Sequence, residues 1–172
     1  MLKQTVIAPL LALSLVGAAE AQPTPAKIVD TYRTASIEDT PAICSPFLIK
    51  SAGLYEANLN ILLDKKATTQ KDINSSTAYI FNIKYRGDVF EVMGKKANPT
   101  LSKQAWRESN LDFMTKPQFN ELVIFCADKY NGMRQARQID PQIEAATIAK
   151  DQAYMQSRFS TEILNAKRAA AK

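Results

Sequence analysis

The sequence predicts an all-α protein: a bundle of four to six helices in residues 22–172, stapled by one disulfide. Three observations carry this expectation. Apolar residues recur at helical spacing, most clearly in residues 115–133, TKPQFNELVIFCADKYNGM, where Phe119, Leu122, Val123, Cys126, Tyr130 and Met133 share one face. Prolines stand directly after capping residues in Thr24-Pro25, Thr40-Pro41, Ser45-Pro46, Asn98-Pro99 and Asp140-Pro141, where a missing N–H costs a helix nothing. The chain has only two cysteines, Cys44 and Cys126, and both fall on the apolar sides of such stretches.

Residues 1–21 read as a signal peptide. Lys3 gives a positive start, residues 6–16 form an apolar run too short to cross a bilayer stably, and Ala19-Glu20-Ala21 places small residues ahead of a cleavage site before Gln22. No cysteine follows that site, so no lipid anchor is expected. No later stretch is long and apolar enough to span a membrane, and the mature chain is expected to be periplasmic or secreted. Removing 21 residues from 172 leaves 151, enough for a single domain with a sizeable core. Two cysteines in an exported chain imply one Cys44–Cys126 bond.

The elements follow in order. Residues 25–35 form a short helix with Ile28, Val29 and Tyr32 inward, and 36–41 a linker. The next helix starts at Thr40-Pro41 or at Ser45-Pro46, runs with Cys44, Leu48, Ala52, Tyr55, Leu59 and Leu62 on one stripe, and ends at Asp64-Lys65-Lys66. Thr69 and Asp72 have the spacing of a capping box, with Asp in place of Glu. Residues 76–93 have two readings. Tyr79, Phe81, Ile83 and Tyr85 alternate with Asn82, Lys84 and Arg86, and Gly87-Asp88 would turn that strand into a hairpin over 79–93. As a helix, the same stretch is apolar around most of its circumference, which suits a central position. Helix is preferred, because every neighbour is helical and a lone hairpin has no sheet to join.

Asn98-Pro99 opens a shorter helix over 101–114, with Leu101, Ala105, Trp106 and Phe113 inward. The 115–133 helix ends at Asn131-Gly132 and is expected to be the one the others pack around. A long charged helix then runs from Pro141 to Ala170. Its stripe of Ile148, Gln152, Met155, Phe159 and Ile163 is thin, as in a solvated appendage or a helix that completes its burial on a partner.

Composition narrows the chemistry. The chain has no histidine, which removes the commonest general base, zinc ligand and pH switch. No calcium loop, phosphate loop or nucleophile motif is present, so neither metal nor cofactor is expected. A pair of carboxylates is the one catalytic route left, as in a small cell-wall hydrolase, with Glu56, Glu91, Glu108 or Glu121 as acid. Two short motifs are coincidences of letters unless exposed in loops: Arg86-Gly87-Asp88, an integrin tripeptide, and Asn74-Ser75-Ser76, a glycosylation sequon.

Charge points elsewhere. The net charge is +5, and it stays +5 after cleavage because Lys3 and Glu20 leave together. Residues 22–94 hold 8 basic and 8 acidic side chains and residues 95–172 hold 13 and 8, so the C-terminal half carries the whole excess. With no basic run interleaved with aromatics, nucleic acid is not expected, and an acidic partner protein or an anionic envelope surface fits better. The aromatics Tyr32, Tyr85, Tyr130, Tyr154 and Trp106 are too many to be all fully buried. Trp106 with Arg107, and the basic Arg134, Arg137, Lys150 and Arg158, form the candidate partner surface.

The signal peptide, the size and the two cysteine-bearing helices together resemble the small two-cysteine helical proteins exported by Gram-negative bacteria, among them periplasmic immunity proteins that neutralise secreted toxins. The function expected is non-catalytic protein binding in the bacterial envelope, of immunity, inhibitor or adaptor type. The alternatives are the glutamate-dependent hydrolase and a carrier of an apolar ligand lined by residues 76–93.

Overall fold

Local capping signals and close helix contacts account for most of the architecture. The computed structural model of the chain describes residues 30–63, 69–110, 114–161 and 163–165. Five helices dominate them: α1 (Thr40–Leu63), α2 (Gln70–Ala97), α3 (Pro99–Glu108), α4 (Lys116–Gln135) and α5 (Pro141–Phe159). A helical turn at 30–33 precedes them, and residues 161 and 163–165 are helical after them. Residues 1–21, read above as a signal peptide, Ile28, Val29, the expected helix end at Asp64-Lys65-Lys66, Phe113 and residues 166–172 lie outside the described residues.

α1 starts at Thr40, the earlier of its two expected caps, which leaves Pro46 inside the helix. α2 opens on a reciprocal capping box between Thr69 and Asp72 and continues unbroken to Ala97, so the 79–93 hairpin does not form. Asn98 closes α2 and caps α3, accepting from the Leu101 N–H and donating to Asp39. Thr115 and Gln118 make a second capping box, on α4, and Asp140 caps α5 with Pro141 at its first position.

α1 and α2 form the most extensive pairing; α2 also carries α5, and α1 carries α3 and α4. The pairing is antiparallel: Ala42 meets Gly94, Leu48 meets Gly87, and Tyr55 stacks on Tyr79 with ring centroids 4.2 Å apart. Every residue from Thr40 to Leu48 is buried. The start of α1 is therefore the centre of the core, a role the sequence had suggested for the α4 stretch. All six apolar residues expected to face inward on α4 are buried. Cys44 and Cys126 join α1 to α4 with Cα atoms 5.2 Å apart, and Phe47 of α1 packs on Phe119 of α4 with ring centroids 5.9 Å apart.

Close approach explains the glycines of α2. A Cβ on Gly94 would lie 2.4 Å from Ala42 Cα and 2.5 Å from Ala42 N, both backbone atoms that no side-chain rotation moves. Gly94→Ala is therefore expected to destabilise by about 2–3 kcal/mol despite alanine's better helix propensity. Gly53 of α1 has nothing within 4 Å of such a Cβ, so Gly53→Ala should stabilise by roughly 0.5–1 kcal/mol. Urea melts of the two variants check both signs.

Four expectations are corrected. Asn131-Gly132 does not end α4, because burial of Met133 on the same face extends the helix by a turn. The stop is at Arg137, which takes the left-handed conformation (φ 57), while the Gln138 and Arg137 N–H groups return to the Met133 and Arg134 carbonyls. Arg137→Gly should stabilise by about 1 kcal/mol in thermal melts, since glycine adopts that φ without strain. The helix expected over 141–170 ends at Phe159, where Ser160 turns extended before helical residues resume. The short helix expected over 101–114 ends at Glu108, capped by Ser109. Finally, Tyr55 of the α1 stripe is 44% exposed, and on α5 Gln152 is exposed while Asp151 beside it is fully buried.

α5 is also no appendage. It lies antiparallel on α2, burying Thr147, Asp151 and Phe159. None of the described helices is long and apolar enough to cross a membrane.

Candidate functional site

The sequence forces a charge problem on α2, whose apolar circumference is interrupted by Lys84, Arg86 and Asp88. The fold answers it with α5. Lys84 Nζ donates to Asp88 Oδ2 at 2.7 Å, one helical turn away, and to Asp151 Oδ1 of α5 at 2.8 Å. Lys150 reaches Asp88 from the outside at 3.3 Å. The Lys84 ammonium lies 5.1 Å from the Tyr154 ring centroid; the Tyr154 hydroxyl donates to Glu56 of α1, and Arg158 holds the other Glu56 oxygen, both at 2.7 Å. One connected set of side chains therefore ties α1, α2 and α5 together. Asp151 Oδ2 has no hydrogen-bond partner among the described residues.

Burial raises the Asp151 carboxyl, against the hydrogen bond from Lys84. Burial alone would lower Lys84, but its bonds to Asp151 and Asp88 overcome this and hold the ammonium above its ordinary value. Two tyrosines are buried against carboxylates in the same manner: Tyr32 on Glu108, and Tyr130 on Glu144 at 2.7 Å, with Arg134 on the same Glu144 oxygen at 2.8 Å. Burial first, then the carboxylate, pushes both phenols far above the usual tyrosine range.

Lys84, Tyr32 and Tyr130 all hold their protons more tightly when folded. Their contribution is complete below the unfolded values near 10.5 and 10.0 and is lost as pH rises past them. Urea midpoints should be level from about pH 7 to 9 and fall steeply above about pH 10; a level profile to pH 11 contradicts this linkage.

The second feature is open. A cleft of about 610 Å³ lies between the end of α2 and α3, lined by Glu91, Lys95, Pro99, Ser102, Lys103 and Trp106. Pro99 begins α3 directly after the α2 cap, so the two walls diverge from Asn98. Trp106 is half-buried. Lys50 of α1 donates to its carbonyl at 3.3 Å and to Asn110 at 2.6 Å, with the ammonium 5.6 Å from the indole centroid. Burial lowers the Lys50 ammonium. Glu91 is engaged by Lys95 at 2.7 Å, whereas Lys103 and Arg107, exposed on α3, form no ion pair with a described residue.

No protein-family model, curated protein or solved structure matches this chain. Its function is therefore read from the geometry.

The six candidate partner residues separate into two groups. Trp106 and Arg107 belong to α3, beside the cleft. Arg134, Arg137, Lys150 and Arg158 belong to α4, α5 and the turn between them. Of these, Arg134, Lys150 and Arg158 are each bonded to a carboxylate of the fold, and Arg137 alone makes no ion pair with a described residue. Tyr32, Tyr85 and Tyr130 are buried and offer no contact face.

The candidate acids are all occupied: Glu56 by Tyr154 and Arg158, Glu91 by Lys95, Glu108 by Tyr32 and Gln104, and Glu121 by Arg33. The aromatics considered as a ligand lining pack on one another, with Phe81 on Tyr85 at 5.3 Å and Phe90 on Tyr130 at 5.2 Å. Arg86-Gly87-Asp88 lies inside α2, with Gly87 buried against Leu48 and Ile49. The residue sequence reasoning missed is Asp151. The signal for it was Lys84, a cation within an aromatic-rich stretch, which demanded a buried counter-charge from somewhere in the chain.

Proposed function

We propose that the protein is a non-catalytic binding module of the bacterial envelope, of immunity, inhibitor or adaptor type, that takes an acidic partner protein. The observation that supports this reading is an asymmetry in how the charges are used. Glu56, Glu91, Glu108 and Glu121 are each held by a partner within the fold, while the cations Lys103, Arg107 and Arg137 stand exposed without an ion pair among the described residues. Asp30, Glu38 and Asp128 are likewise exposed without an ion pair among the described residues, but the exposed unpaired cations, with Lys71, Lys96 and Lys116 besides these three, outnumber them, and such a basic excess steers an acidic protein toward it. The Cys44–Cys126 bond suits an oxidising compartment, consistent with the signal-like residues 1–21.

Surface-immobilised chain exposed to envelope proteins of the source cell tests this. An acidic protein should be retained in a 1:1 complex, with association slowed by physiological salt and dissociation little changed. Peptidoglycan incubated with the chain should remain intact. Lysis of peptidoglycan that Glu56→Gln abolishes without unfolding the chain would replace this reading with the hydrolase.

A further inference from the structure

We infer that the cleft between α2 and α3 is where the partner docks, by an acidic segment carrying one aromatic or large aliphatic side chain; this deepens the binding reading above and rests on it. The interior is apolar, built by Trp106 and Pro99. The surroundings are cationic. Lys103 comes from the α3 wall, Arg107 follows it one turn along the same face, and Lys50 sits against Trp106. The single lining carboxylate, Glu91, is already neutralised by Lys95.

Charge and shape together select the occupant. Lysines present point charges on flexible stems, which suits several carboxylates spaced along a chain better than forked capture of one phosphate. The cleft is concave, and at about 610 Å³ it admits a large side chain with its flanking backbone. A bilayer is flat and would meet only the rim. Trp106 is held in place by Lys50 before any partner arrives, so little ordering is lost on binding, and tryptophan is among the commonest anchors of protein interfaces.

Trp106 is the chain's only tryptophan, so its emission reports on the cleft alone. The oxidised chain is titrated with three acetylated, amidated peptides: Asp-Asp-Phe-Glu-Glu, the same with Ala for Phe, and Lys-Lys-Phe-Lys-Lys. The first should shift the emission with Kd below about 1 mM. Loss of the Phe ring should weaken binding about tenfold, and the cationic peptide should give no shift. Lys103→Glu, an exposed change with no partner to lose, should weaken the first peptide about tenfold at unchanged melting temperature.

No shift at millimolar Asp-Asp-Phe-Glu-Glu overturns the inference. So does an equal response to the cationic peptide, or tighter binding of phosphatidylglycerol vesicles, which would make the surface lipid-directed. If Lys103→Glu captures the envelope partner as fast and as tightly as the native chain, the cleft is excluded while the broader binding reading stands. If neither chain captures a partner, both fall.

Discussion

Lys84→Met is expected to lower the unfolding free energy by about 3–5 kcal/mol at pH 7, the usual cost of leaving a buried charge without its partner. Asp151 has no exposed surface, and Lys84 is the only cation bonded to it among the described residues. Asp88 fares better, because it retains Lys150. Without Lys84, Asp151 must take up a proton or draw in water, and either response carries a pH signature. The folded-state carboxyl of the variant sits further above its unfolded value than in the native chain. Stability of the variant therefore falls as pH rises above the ordinary aspartate range, and its deficit should be smaller near pH 4 than at pH 7. Adding Asp151→Asn removes the stranded charge and should recover at least half of the loss. Urea melts of the two single variants and the double variant at both pH values measure this directly. Additive single effects would show that Lys84 and Asp151 are not coupled, and a Lys84→Met loss below about 1 kcal/mol would show that α5 is held by its apolar contacts alone.

Reduction of the Cys44–Cys126 bond should cost about as much. The bond spans a sequence separation of 82 residues, for which the chain-entropy relation gives about 4.5 kcal/mol, an upper figure because the reduced chain keeps some structure. Both cysteines are fully buried, so the paired alanine variant loses packing as well. Intact mass of the native protein under non-reducing conditions should be two hydrogens below the reduced mass, with no thiol open to alkylation. Urea midpoints with and without reductant then give the energy. Two alkylatable thiols in the native protein would remove the bond from this account, and an unchanged midpoint would show that the α1–α4 contact is sufficient without it.

The two losses act on different joints. The disulfide fastens α1 to α4, and the Lys84 cluster fastens α5 to α2 with help from Glu56 of α1. α5 was legible as a charged helix with a thin apolar stripe, and that stripe pointed to an appendage or to a helix that completes its burial on a partner. The error lay in assigning Gln152 to the inner face and Asp151 to solvent. Periodicity treats an aspartate as an outward residue, yet here a salt-bridged aspartate occupies the inner line. The Trp106 cleft was half legible: Trp106 and Arg107 stood out as an interface pair, but Lys95, Lys103 and Lys50 come from three different helices and share no local pattern.

The sequence by itself determined the helical class, the Thr69 and Asp140 caps, the inward face of α4 and the pairing of its two cysteines. These depend on contacts within about one helical turn, or on there being a single possible pair. Only the tertiary structure decided that the start of α1 is the centre, that Gly94 must admit the Ala42 backbone, and that Asp151 is buried. Each of those depends on residues from separate helices meeting in space. Lys84 and Asp151 stand 67 positions apart, and no spacing rule along the chain reports that one neutralises the other.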